Sequence, residues 1–133
     1  GGKSYCNSKI ISVSPVGKLS QSLLATGFPY ENFKQMSSYL NLLNDFMKAS
    51  HGLRRLGSAA VDLAYVACGR FEGFFEYNLN SWDVAAGCLI VKNAGGKVTD
   101  FKGGKDFLFG KQIVAAGKIQ KEMLGLIQKH FRK

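Results

Sequence analysis

The sequence predicts one α/β domain in which helices and a sheet lie in layers. Three observations carry that expectation. Segments with the two-residue period of strands alternate with segments whose apolar residues recur at three and four. No linker, internal repeat or low-complexity tract divides the 133 residues, a length suited to one domain. The balance of 46% apolar to 20% charged residues is that of a chain that buries a core.

Residues 9–14 (KIISVS) alternate and are rich in β-branched side chains, which predicts a strand. Residues 22–26 (SLLAT), ended by Gly27 and Pro29, predict a second. Phe33, Met36, Tyr39, Leu40, Leu43, Phe46 and Met47 define an amphipathic helix over about 31–48, closed by His51-Gly52. After 53–56 (LRRL), a second helix opens at Gly57-Ser58 with Ser58 as its N-cap and stops at Gly69. Residues 70–76 (RFEGFFE) read as a strand with Glu72, Phe74 and Glu76 on one face and Phe71, Gly73 and Phe75 on the other. Ser81 caps a third helix from about Trp82 to Asn93, stopped by Gly95-Gly96. Strands follow at 97–101 and 112–116, with a Gly103-Gly104 turn between them. A terminal helix over about 118–131 turns Ile119, Met123, Leu126 and Ile127 inward.

Eighteen Lys+Arg against nine Asp+Glu leave a net charge of +9, and residues 92–133 hold +7 of it. The lysines there are singly spaced, the pattern of a solvated face; a field that steers anions is the other reading. Three cysteines, Cys6, Cys68 and Cys88, cannot all pair and form no C-x-x-C, so they read as buried, reduced thiols of a cytoplasmic protein. The longest apolar stretch, from Val84 to Val91, is far short of the roughly 20 residues that span a bilayer. No signal peptide opens the chain, and Gly1-Gly2-Lys3 has the character of turn chemistry inside a longer protein.

Chemistry-bearing residues are few. Asp83 falls in the first turn of the third helix, where a carboxylate either complements the helix N-terminus or serves as a metal ligand or general base at a strand-to-helix corner. Glu76 ends the preceding strand, so a short turn could set both acids on one rim. Gly57, Ser58 and Ala59 at a helix start offer N–H groups and a hydroxyl to an anion or a sugar hydroxyl, or else plain N-capping. Arg54 and Arg55 could grip a phosphate or lie on an ordinary surface. His51 and His130 have no partner at metal-ligand spacing, and no G-x-S-x-G, G-x-G-x-x-G or P-loop occurs.

Taken together, 53–60 (LRRLGSAA), 62–67 (DLAYVA), 73–76 (GFFE), 82–87 (WDVAAG) and 94–100 (AGGKVTD) closely resemble the C-terminal half of the inositol monophosphatase family, its bacterial extragenic-suppressor type above all. The W-D-x-A-A-G segment followed by A-G-G-x-V-T-D is a signature of that family. Residues 1–7 (GGKSYCN) with 11–14 (ISVS) are similar to its mid-protein hairpin, although Ser8 stands where Gly commonly follows Asn.

The resemblance implies an α/β layered fold and a Mg²⁺-dependent phosphomonoesterase acting on a sugar-alcohol phosphate, inositol 1-phosphate first. It assigns Asp83 to the metal, Glu76 to a ring hydroxyl, and Gly57, Ser58 and Ala59 to the polyol pocket. Mg²⁺ needs six oxygens, and one aspartate holds only an edge of such a cluster. The family's other ligands lie in a glutamate-containing helix and a D-P-x-D-G-T segment, and neither motif is in this sequence. The expectation is therefore that residues 1–133 form the polyol-pocket domain without the catalytic half. Alone it would show negligible turnover and expose an apolar docking face; the intact protein would be a homodimer. Fructose 1,6-bisphosphate or a nucleotide 3′-phosphate are alternative substrates within the superfamily. A non-catalytic module that binds RNA or another polyanion is the alternative outside it.

Overall fold

The computed structural model describes residues 2–28 and 34–131. It opens with a hairpin of β1 (Ser4–Cys6) and β2 (Lys9–Ile11), paired antiparallel. A two-residue hairpin turn matched to strand twist needs left-handed backbone at both central positions. Asn7 and Ser8 supply it at φ 51° and 69°. The turn therefore keeps its geometry with serine in the place where glycine is usual.

A five-stranded sheet follows, ordered β4-β3-β5-β7-β6. Its strands are β3 (Leu23–Thr26), β4 (Gly52–Arg54), β5 (Gly73–Tyr77), β6 (Lys97–Thr99) and β7 (Gln112–Ala116). The first three are mutually parallel, and β7 runs antiparallel to both β5 and β6. The helices are α1 (Met36–Ala49), α2 (Ala59–Ala67), α3 (Ser81–Asn93) and α4 (Gln120–His130).

Strand periodicity divides the core into two layers. Phe74 of β5, with Ile113 and Ala115 of β7, packs under Leu63, Val66, Val84, Cys88 and Val91 of α2 and α3. Phe75 and Val114 point the other way, into Tyr39, Leu42, Phe46, Met123 and Ile127 of α1 and α4. The rings of Phe46 and Phe75 lie 4.8 Å apart. Close approach is bought with missing side chains. A Cβ on Gly87 would fall 2.6–2.7 Å from Leu63, so α3 can press on α2 only with glycine there. On the second face, His130 Nε2 bonds the Asp45 carboxylate at 2.7 Å and ties α4 to α1. That hydrogen bond holds the Asp45 carboxyl below its ordinary range.

The layered α/β expectation is met, and several local expectations are corrected. The strand expected over 9–14 stops at Ile11, because Val13 leaves the hairpin and donates its N–H to Ala94 at 3.0 Å. The first helix is described from Met36; Phe33 and the start expected near 31 lie outside the described residues. Its buried stripe is Tyr39, Leu42 and Phe46, while Met36, Leu40 and Met47 are exposed, since the sheet covers only one narrow side. β4 was not anticipated, because three residues are too few to show a period. Residues 70–72 form a turn, with Arg70 N–H bonded to Tyr65, so Phe71 joins Phe74 in the first layer instead of facing with Phe75. Asn80, not Ser81, is the N-cap of α3. The strand expected over 97–101 ends at Thr99, where the Asp100 carboxylate accepts N–H bonds from Lys102, Gly104 and Asp106 and folds a loop around itself.

Among the cysteines only Cys88 is buried; Cys6 and Cys68 are half-exposed because they sit at a hairpin end and a helix C-cap. Tyr5, Ile10 and Leu89 are large apolar residues exposed on the hairpin and α3. No helix among the described residues is long and apolar enough to cross a membrane.

Candidate functional site

The three parallel strands deliver their carboxyl ends to one rim, where open α/β sheets gather ligands. β3 leads there to Gly27 and Phe28, β4 to Arg55, and β5 to Glu76, Tyr77 and Asn78. Two helices begin at the same rim. Gly57 turns at φ 90° and Ser58 caps α2, its Oγ accepting the Val61 N–H at 3.3 Å. α3 begins just beyond Asn80, whose backbone N–H donates to Asp83 Oδ2 at 3.1 Å. Helix N-termini carry partial positive charge and favour acids and polar oxygens.

Between these ends lies a cavity of about 630 Å³, a volume suited to a small polar molecule. Glu76, Gly57, Ser58, Ala59 and Asp83, drawn from three separate stretches of sequence, all line it. Arg55 lines it too, 5.3 Å from the Phe28 ring, whereas Arg54 folds back onto the Leu53 carbonyl at 2.9 Å. Trp82, 79% exposed, stands at the mouth.

Electrostatics make Glu76 the unusual group. Burial first, then the neighbouring charges of Asp62 and Asp83, push its carboxyl up to about 7, against the opposing pull of Arg55. Such a group changes charge near neutrality and can either donate or accept a hydrogen bond there. Asp62, in the first turn of α2, is only 1% exposed, and its Oδ1 has no hydrogen-bond partner among the described residues. Burial raises Asp62 to about 6, again opposed by Arg55.

Asp62, Arg55 and Gly27 are the members of the site that residue spacing could not nominate with their present roles. Asp62 stands alone in sequence, and only the packing of α2 against β5 makes it a neighbour of Glu76. The arginine pair was visible, but which arginine faces inward depends on the end of β4.

A divalent cation would need several oxygen ligands from these residues. No group of three or more His, Cys, Asp or Glu side chains among the described residues could hold a metal ion. Asp83 has one oxygen committed to its own helix cap, leaving Oδ1 as the oxygen it could offer. An octahedral Mg²⁺ site needs far more than that. These residues do not build one by themselves.

Fold and cavity together define an α/β domain with an acid-bearing polar pocket at the carboxyl ends of its parallel strands. The comparisons with known proteins make that class specific. The inositol monophosphatase family profile matches residues 1–133, and the chain belongs to that family. It is 46% identical to a putative Nus factor SuhB of Neisseria meningitidis serogroup B, over 98% of this chain and 50% of that protein. It is 40% identical to an inositol-1-monophosphatase of Mesorhizobium japonicum, over 97% of this chain and 49% of that one. The crystal structure of extragenic suppressor protein suhB from Bartonella henselae superposes with a TM-score of 0.90 at 41% identity, covering 96% of this chain and 49% of that one. The chain thus spans about half the length of the relatives it matches.

Proposed function

We infer that this chain carries the polyol-recognising half of a Mg²⁺-dependent phosphomonoesterase, with inositol 1-phosphate as the substrate. The observation that carries the reading is the meeting of Glu76, Gly57, Ser58, Ala59 and Asp83 around one cavity. Glu76 holds a ring hydroxyl by a hydrogen bond, and its partial protonation near neutrality lets it serve as donor or acceptor. The start of α2 lines the pocket with backbone groups and the Ser58 hydroxyl. Arg55 contributes positive charge that favours a phosphorylated ligand over a neutral one. Asp83 offers one oxygen to the Mg²⁺, whose remaining ligands come from outside these 133 residues. Held by such a fuller ligand set, the ion would supply activation of a water and neutralisation of the leaving alkoxide. Release of phosphate by this chain alone is accordingly negligible, and the intact protein is a homodimer.

The test is calorimetric titration of wild type and Glu76→Gln with myo-inositol. Weaker binding by Glu76→Gln supports the assignment; unchanged binding contradicts it.

A second reading is favoured by a separate observation. Lys97, Lys105, Lys118 and Lys121 line two clefts of about 400 and 550 Å³ beside β6. Two nearby acids turn carboxylate oxygens to backbone N–H groups: Asp100 to those of Lys102, Gly104 and Asp106, and Glu122 to that of Leu19. Such an edge suits a polyanion such as RNA. Binding to RNA that weakens steeply between two salt concentrations would support it.

A further inference from the structure

Gly27 follows β3, and the pairing of Thr26 with Phe75 sets it beside Glu76. Neighbours across a parallel ladder present their side chains to the same face, so a side chain at position 27 would project where Glu76 projects. An ideal Cβ on Gly27 would lie 2.2 Å from both Cδ and Oε1 of Glu76 and 2.4 Å from Oε2. The Glu76 carboxyl is thus seated directly on the α-carbon of Gly27.

Backbone conformation gives no reason for glycine here. Gly57, Gly69, Gly95 and Gly103 have positive φ, and Gly27 is not among them. Space gives the reason. Nor is the backbone at Gly27 free to yield. The buried Tyr39 hydroxyl is shared between the Gly27 carbonyl and Thr26 Oγ1, which in turn donates to the Phe75 carbonyl at 2.8 Å. This network ties the strand end bearing Gly27 to the residue preceding Glu76. Any added atom must therefore be relieved by the flexible carboxyl, which turns away at little cost in stability.

We propose that Gly27 is a positioning residue of the cavity: its missing side chain is the seat that fixes where Glu76 presents its oxygens to a polyol hydroxyl. The contact stands on geometry; its consequence for binding rests on the polyol reading above.

The test uses this chain as wild type, Gly27→Ala, Glu76→Ala and the double variant, titrated with myo-inositol. Gly27→Ala is expected to melt within a few degrees of wild type and to bind about tenfold more weakly or worse, the loss of one charge-assisted hydrogen bond. On the Glu76→Ala background the same substitution should change nothing further, because no carboxyl remains to be displaced. Unchanged binding in Gly27→Ala, or an equal loss on both backgrounds, overturns the proposal. Should Gly27→Ala fail to fold, a double variant that folds supports the steric seat and one that does not overturns it. Should wild type bind no myo-inositol, the polyol reading falls and the seat is read from the Glu76 carboxyl ¹³C resonance. Movement of that resonance in Gly27→Ala then supports the seat, and an unmoved resonance overturns it.

Discussion

Replacing Glu76 by Gln should make the chain lose less stability between pH 6 and pH 8. The carboxyl has its ordinary value of 4.5 when unfolded and about 7 when folded. Between those values the native state holds more protons than the unfolded state, so stability falls as pH rises. The penalty is absent well below 4.5 and complete above 7. Linkage across pH 6 to 8 gives about 1.3 kcal/mol for Glu76, or about 1 kcal/mol after allowing for its partial solvent contact. Asp62, raised only to about 6, adds about 0.4 kcal/mol of the same sign over that interval. Glutamine keeps the size and the seat on Gly27 but carries no charge. Urea melts of both proteins at the two pH values measure the difference, about 0.7 M in midpoint for a slope near 1.5 kcal/mol/M. Glu76→Gln should lose about 1 kcal/mol less than wild type over that interval. Equal pH dependence in the two proteins would refute the claim that desolvation and acidic neighbours strain Glu76.

Three further outcomes follow from packing. Gly87→Ala places a methyl 2.6–2.7 Å from Leu63 and should cost about 1–3 kcal/mol, read from a denaturant melt. Ser8→Gly relieves a serine held at φ 69° and should raise stability by about 1 kcal/mol, seen as a higher melting temperature. Thiol titration should find Cys88 the slowest of the three cysteines. It is 3% exposed and burial pushes its thiol to about 11, whereas Cys6 and Cys68 are half-exposed.

The parts of the fold legible in the sequence are those where one local signal agrees with tertiary packing. The 112–116 strand, the α4 stripe of Ile119, Met123 and Ile127, and the Ser58 cap are of this kind. The misread parts have local signals that a long-range contact overrides. Asp100 looked like the tail of a strand and instead organises a loop, because three backbone N–H groups converge on its carboxylate. Leu40 and Met47 kept helical spacing yet face outward, since amphipathic periodicity cannot say how wide a stripe its partner covers. At the site, the family signature nominated Glu76 and Asp83, and strand-to-helix corners made their neighbourhood plausible. Asp62 and Gly27 were illegible. One becomes a site member only through helix packing on β5, and the other through an atom it lacks.

The central claim is that the cavity bounded by Glu76 and the start of α2 recognises a polyol. It is tested most directly by following the backbone amide resonances of the ¹⁵N-labelled chain while myo-inositol is added. Saturable shifts are expected at Gly57, Ser58, Ala59 and Glu76, with Lys97 and Lys105 unmoved. Shifts confined to the lysine-lined edge of β6, or none at all, would contradict it.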